Sequence, residues 1–241
     1  IFNLIDIAYP QNNETKNFLQ KFDLKKIKII GNLKYIDNND FKSDKIDQKL
    51  FNQFKKYKIF IAASTHASEE IYAAKTHILL KKKNKNLITI IIPRHINRVP
   101  EIIHQMKKLN LRVITRSSKK NKLTNTDIFI VDTFGESKKF YRIATSVFLG
   151  GSIIKRGGQN PLEPARFGTK ILHGPNVGNF KEVYQYLDLL KISHKVKTPL
   201  QCANSIIFKK NMKKVQKMKF LGKKILKNTL NELDKSIHNE T

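Results

Sequence analysis

The sequence predicts an α/β fold, a Rossmann-like parallel sheet with helices on both faces, and three observations carry that reading. Short apolar, β-branched runs alternate with longer amphipathic stretches, the pattern of successive βαβ units. The runs are strand-sized, and none reaches the roughly 18 apolar residues of a membrane helix. The residues just after them carry hydroxyl, imidazole, guanidinium, amide and carboxylate groups, as expected where a parallel sheet gathers a ligand site outside the carboxyl ends of its strands.

Taken in order, the predicted strands are IKII (27–30), KIFIAAS (58–64), LITIIIP (87–93), LRVITR (111–116), DIFIVD (127–132), SVFLGG (146–151) and TKILHG (169–174). Each is short and bounded by turn residues. The stretches between them, SEEIYAAKTHILLKKK (68–83), NRVPEIIHQMKKLN (97–110), GESKKFYRIAT (135–145) and NPLEPARFG (160–168), are predicted helices or helix starts. Residues 34–57 are polar and helix-prone and read as a joint between an upstream domain and the sheet. Residues 205–238 are Lys-rich, with apolar side chains from Ile206 to Leu233 at near-helical spacing, which predicts an amphipathic helix packed on the core.

Composition excludes several classes. With 40% hydrophobic residues in 241, the chain buries a real core. The start IFNLIDIAYPQNN has neither a basic leader nor a small-residue cleavage site, so no signal peptide is expected, and Ile1 fits a chain cut from something longer. Cys202 is the single cysteine, which rules out an internal disulfide and fits a reducing compartment. The formal net charge of +28 invites a nucleic-acid reading, but of the 47 basic residues only seven are arginines and the lysines are scattered, as in a chain generally rich in Lys, Ile and Asn. All seven arginines fall within residues 94–166, where the planar guanidinium suits carboxylate or phosphate.

Seven of the ten glycines also fall in one segment, FLGGSIIKRGGQNPLEPARFGTKILHGPNVG (148–178). Glycine costs roughly 0.5–1 kcal/mol relative to alanine inside an element, so the cluster predicts tight turns or a close approach to a ligand. Asn160 as helix N-cap and Pro161 at the first helical position would present free N–H groups to an anion, with Glu163 one turn inside to accept from a sugar hydroxyl. PRHINR (93–98) offers Arg94 and Arg98 to an anion, and STHASEE (64–70) offers Ser64, Thr65 and His66. DTFGES (132–137) offers Phe134 to stack on a base and Glu136 to hold a ribose. Structural readings stand beside these: a Gly-rich turn capped by Asn160, a pair of surface cations, and an ST-type helix cap with acidic residues in its first turn. The segment matches neither a P-loop nor a G-x-G-x-x-G fingerprint, and the chain has no Asp-x-Asp, no Cys/His pair at metal spacing and no Gly-x-Ser-x-Gly elbow. Metal-assisted chemistry and serine hydrolysis are therefore disfavoured.

STHASEE, PRHINR, TRSS, DTFGES and GGSIIKRGGQNPLEPARFG, followed by HGPNVGNF, resemble in that order the 3-deoxy-D-manno-octulosonic acid (Kdo) transferases of lipopolysaccharide synthesis. IIGNLKY (29–35) is similar to the segment just before that family's second domain, and the likeness runs from about residue 8 to about 190. The resemblance implies the C-terminal domain of a two-domain GT-B glycosyltransferase. Residues 1–40 would be the end of the acceptor domain and the linker, 41–204 a CMP-Kdo-binding domain, and 205–241 a C-terminal helical segment. It implies transfer from CMP-Kdo, without a bound metal or other cofactor, to a lipid A precursor on the cytoplasmic face of the inner membrane. The excess of lysine would favour an anionic membrane surface, and no nucleic-acid partner is expected.

By the same resemblance Pro93, Arg94, Phe134, Gly135, Glu136, Asn160, Pro161, Leu162 and Glu163 would contact the CMP moiety and Lys34 would stabilise transition-state charge, while Ser64, Thr65, His66, Arg98 and Gly151 are candidates for further donor contacts. The family's general base, a Glu of the acceptor domain, is expected to lie outside this chain. Ala67-Ser68 before the paired Glu, Phe134 and Ser137 depart from the usual pattern. Two other readings remain: a GT-B transferase using UDP-sugars, separable by base preference, and a non-catalytic basic module whose affinity for nucleic acid falls steeply with salt.

Overall fold

The computed structural model describes residues 4–22, 24, 26–36, 45–118 and 122–238. They fall into two compact units, residues 1–40 with 215–241, and residues 41–214.

In the first unit α1 (Asn13–Leu19) is capped by Asn12, whose Oδ1 accepts the Thr15 N–H at 2.7 Å. IKII forms no strand. Its sole pairing among the described residues is an isolated parallel bridge from Ala8 to Ile27, because a strand needs a partner of matching length. A 3₁₀ turn, Leu33–Tyr35, follows.

The second unit opens with α2 (Gln48–Phe54), capped by Asp47. This helix bears out the helix-prone reading of 34–57 and adds that part of the stretch packs into the sheet's unit: Leu50 and Phe54 are buried, and the Phe54 ring meets Phe129 and Phe140 edge-on at 5.3 and 6.3 Å. Residues 37–44 of that stretch lie outside the described residues. There follow β1 (Lys58–Thr65), α3 (Glu69–Lys81), β2 (Leu87–Pro93), α4 (Val99–Lys108), β3 (Val113–Thr115), β4 (Ile128–Ile130), α5 (Ser137–Tyr141), β5 (Ser146–Leu149), α6 (Leu162–Arg166), β6 (Lys170–His173), α7 (Lys181–Leu189), β7 (Ser193–Lys195) and α8 (Pro199–Ser205).

The seven strands among the described residues are all parallel, in the order β3-β4-β2-β1-β5-β6-β7. Every residue of β2, β4 and β5 is buried, as helices on both faces require. The chain winds outward from β1 through β2 to one edge, then returns to lay β5 on the other side of β1. That reversal leaves a crevice outside the carboxyl ends of β1 and β5, where doubly wound sheets bind ligands.

The polar strand β7 escaped the sequence reading, since Ser-His-Lys has no apolar signal and owes its conformation to pairing with β6. Residues 205–238 are also not one helix: Ser205 ends α8, Ile206 and Ile207 lie in the connection, and α9 runs from Met212 to His238. Val215, Met218 and Ile225 are buried, while Phe220, Leu226, Leu230 and Leu233 are exposed. Within the first unit α9 crosses the 3₁₀ turn closely at Gly222, where a Cβ would lie 2.4 Å from the Tyr35 carbonyl oxygen.

Candidate functional site

At the crevice the end of β1 and the end of β5 nearly touch. Gly150 is required there: an added Cβ would stand 2.4 Å from the Ser64 carbonyl oxygen and 2.7 Å from the Thr65 Cα. Ser64 takes a φ of 53° where the pairing of β1 with β2 slips. After Gly150 the backbone turns so that three successive N–H groups converge, the arrangement that forms an anion-binding nest. The anion is the protein's own. The fully buried carboxylate of Glu69 accepts from Gly151 N at 2.7 Å, Ser152 N at 3.0 Å and Ile153 N at 3.0 Å, and also from His66 N at 3.0 Å. The turn at the glycine pair thus serves an internal carboxylate. One expectation is corrected: STHASEE does not form an ST-type cap, because Ser68, at the N-cap with φ 75°, makes no side-chain cap bond.

The loop then closes on itself. Gly158 N–H donates to the Gly151 carbonyl at 2.9 Å, and Gly157 and Gly158 both have positive φ. From there the chain enters α6. Asn160 Oδ1 accepts the Leu162 N–H at 3.0 Å, but the helix begins at Leu162, one residue later than expected, so Pro161 rather than Asn160 takes the N-cap position. Glu163 is consequently the second helical residue and half-buried, while Pro161 and Leu162 are buried and Asn160 exposed.

Arg94 follows β2 with its N–H bound to the Thr65 carbonyl at 2.9 Å, and its exposed guanidinium has no ion-pair partner among the described residues. Arg98 differs from the expectation of a free cation: it pairs with the buried Glu70 at 2.9 Å and with Glu101 at 3.3 Å. Burial pushes the Glu70 carboxyl up despite that partner. His66 is held below its ordinary pKa chiefly by burial, against the attraction of Glu69, with His95, Arg156 and Arg94 adding to the shift. Its ring meets His95 edge-on at 5.7 Å. Thr65 Oγ1 and His66 Nε2 are buried without a hydrogen-bond partner, as is His173 Nε2 at the end of β6. Orphaned polar atoms are rare in folded interiors, and these three stand at the carboxyl ends of the strands flanking β5.

No family model matches the chain. The 3-deoxy-D-manno-octulosonic acid transferase of Haemophilus influenzae is 37% identical over 165 residues, 67% of this chain and 38% of that protein. The enzyme of the same name from Rickettsia prowazekii is 31% identical over 173 residues, 70% of this chain and 37% of the relative. This chain belongs to the Kdo transferase family. It spans little more than a third of the length of those two relatives. Among solved structures, the C-terminal CMP-Kdo binding domain of WaaA from Acinetobacter baumannii shares the fold, with a TM-score of 0.60 at 22% identity, covering 75% of this chain and 96% of that domain.

In this Kdo transferase chain the remaining motif residues are placed as follows. Phe134 is 80% exposed beside Gly135, whose φ is 77°. Glu136 accepts from Arg116 at 3.1 Å, Lys139 at 3.0 Å and the Thr133 hydroxyl. Burial opposes its charge, but those hydrogen bonds outweigh burial and hold its pKa below the ordinary carboxylate value. TRSS joins the same corner, with Ser117 N–H on Asp132 at 2.9 Å. Lys34, in the other unit, is exposed in the 3₁₀ turn, and its N–H donates to Asn32 Oδ1 at 2.9 Å. The ends of β1, β2 and β5 thus assemble Thr65, His66, Arg94 and Gly151, with Asn160 to Glu163 on the continuation of the same loop. Sequence reasoning missed Glu69, Arg156 and His173. The Glu pair was visible as two acids in a first helical turn, but nothing local shows a carboxylate reaching a loop more than eighty residues away.

Proposed function

We propose that the chain is the donor-binding half of a Kdo transferase and holds CMP-Kdo at the crevice between β1 and β5. The observation that carries this reading is the 37% identity to a named Kdo transferase over 165 residues, 67% of this chain. Arg94 meets the phosphate of the donor, aided by His66 and Thr65, whose side chains have hydrogen-bonding capacity left over. Pro93, Phe134, Gly135 and Glu136 take the cytidine, with Phe134 stacking on the base and the Glu136 carboxylate on the ribose, and Asn160, Pro161, Leu162 and Glu163 complete the contact to CMP. Gly151 and Ser64 bring backbone close to the donor. Arg98 acts from behind through Glu70.

In transfer the bond between the Kdo anomeric carbon and the CMP phosphate breaks, CMP departs with the electron pair, and an acceptor hydroxyl forms the new bond with inversion. The hydroxyl proton goes to a Glu of an acceptor domain. Arg94 offsets the charge that grows on the departing phosphate, as fixed donors and cations do without a metal, and the family resemblance implies transition-state stabilisation for Lys34. The acceptor is a lipid A precursor, and the protein works at the cytoplasmic face of the inner membrane, where each basic residue near an anionic surface contributes about 1 kcal/mol. Among the described residues no helix is long and apolar enough to cross a membrane.

Calorimetric titration with CMP, with UMP as control, tests the donor reading. Saturable binding of CMP over UMP, lost in an Arg94→Ala, Glu163→Ala double variant, is the expected result; equal uptake of both nucleotides would refute a cytidine site. Salt-sensitive sedimentation with anionic liposomes tests the membrane reading.

A further inference from the structure

We infer that Glu69 is the positioning residue of the donor site, resting on the reading of that site given above. The nest that follows β5 looks like a cradle for a phosphate of the ligand, yet its three N–H groups point at the Glu69 carboxylate. An internal anion already fills the place, so a donor phosphate is turned toward the cationic side of the crevice, where His66 lies under the influence of Arg94 and Arg156. The same carboxylate oxygen that binds Gly151 also binds His66 N, which fixes the spacing between the end of β1 and the loop after β5. Gly151 then passes the constraint on, because its carbonyl holds Gly158 and Gly158 leads into Asn160 and α6. One buried side chain thereby aligns the loops that carry His66, Gly151 and the Asn160–Glu163 run. A Cβ at Gly150 would stand 2.8 Å from Glu69 Oε2, so glycine there leaves the carboxylate room to reach the nest.

The test combines amide hydrogen exchange by NMR with CMP titration, in the wild-type chain and in Glu69→Ala with and without added acetate. In Glu69→Ala the amides of His66, Gly151, Ser152 and Ile153 are expected to lose protection and the CMP dissociation constant to rise at least tenfold. Acetate, which fills an emptied nest, restores both, a response that a purely packing role would not give. Should Glu69→Ala fail to fold, Glu69→Gln takes its place: its single oxygen can serve only one of the two pairs of N–H groups, so protection is lost at either His66 and Gly151 or Ser152 and Ile153. Unchanged protection with unchanged CMP affinity overturns the inference, and so does loss of affinity that acetate leaves untouched while the amides stay protected. If the wild-type chain takes up no CMP, the donor reading fails; positioning by Glu69 is then judged on the amides alone, and equal protection in wild type and variant overturns it.

Discussion

Two buried carboxylates, one at each end of the sheet, are held in opposite ways. At the carboxyl end Glu69 takes its hydrogen bonds from four backbone N–H groups. At the amino end Asp127, just before β4, is met mainly by side chains: Arg112 Nε at 3.0 Å, Lys81 Nζ at 3.2 Å and His77 Nε2 at 3.8 Å. His77 is itself buried, with Nδ1 at 2.9 Å from Thr89 Oγ1. Burial of Asp127 opposes its charge, but the polar contacts from His77, Arg112 and Lys81 prevail and drive its pKa far down. The Asp127 cluster ties α3, β2 and the start of β4 together through their side chains. Glu69 shapes a loop. The first arrangement is a matter of stability and the second of geometry, and the two should separate under mutation.

The largest stability effect is expected at the amino end. Asp127→Ala leaves Lys81, Arg112 and His77 without their shared anion and should cost about 2–3 kcal/mol in denaturant unfolding, less than a fully buried pair because Arg112 is largely in solvent. CMP affinity in the same variant should stay within twofold, and a parallel loss of both would erase the distinction. Gly150→Ala sharpens it from the other side. The added methyl meets backbone at 2.4 Å, an overpacking cost of about 1–3 kcal/mol, and CMP binding should fall with it. Gly178→Ala is the control, since nothing lies within 4 Å of its Cβ.

The smallest effect is one of pH. Burial lowers the His77 pKa from 6.5, and Lys81 lowers it further, against the pull of Asp127. The unfolded chain therefore binds the proton more readily, so stability is complete above about pH 6.5 and falls as the pH drops toward the folded pKa, by at most about 1.4 kcal/mol per pH unit. Urea unfolding at pH 7 and pH 5 should show the drop, and His77→Gln should remove its share; an unchanged slope in the variant would place the titration at His66 or His173.

Much of the sheet was legible because burial on both faces writes itself into composition, as in LITIIIP. IKII has the same composition and forms no strand, and Ser-His-Lys of β7 lacks it and does, since pairing is decided by neighbours that a single sequence does not display. The strand-end residues were legible as a set, and the structure brings Thr65, His66, Arg94 and Gly151 together. Their internal commitments were not. Arg98 reads as an open cation until Glu70, 28 residues away, is found against it. Asn160 was recognisable as a residue that serves a helix start, and it does accept the Leu162 N–H, although the helix starts one residue later than expected, with Pro161 at the N-cap, and is only five residues long.

The Gly151 to Glu69 bond spans 82 residues of sequence, and that distance bears on the order of events in folding. Local helices and the β1–β2 pair form from near neighbours, but the crevice comes into being only when β5 is threaded beside β1, after the strands β1 to β4 and the helices α2 to α5 of the second unit. Loop closure over such a span is slow relative to local pairing. The crevice is therefore among the last features the sheet acquires, and a ligand held there would report that β5 has closed against β1.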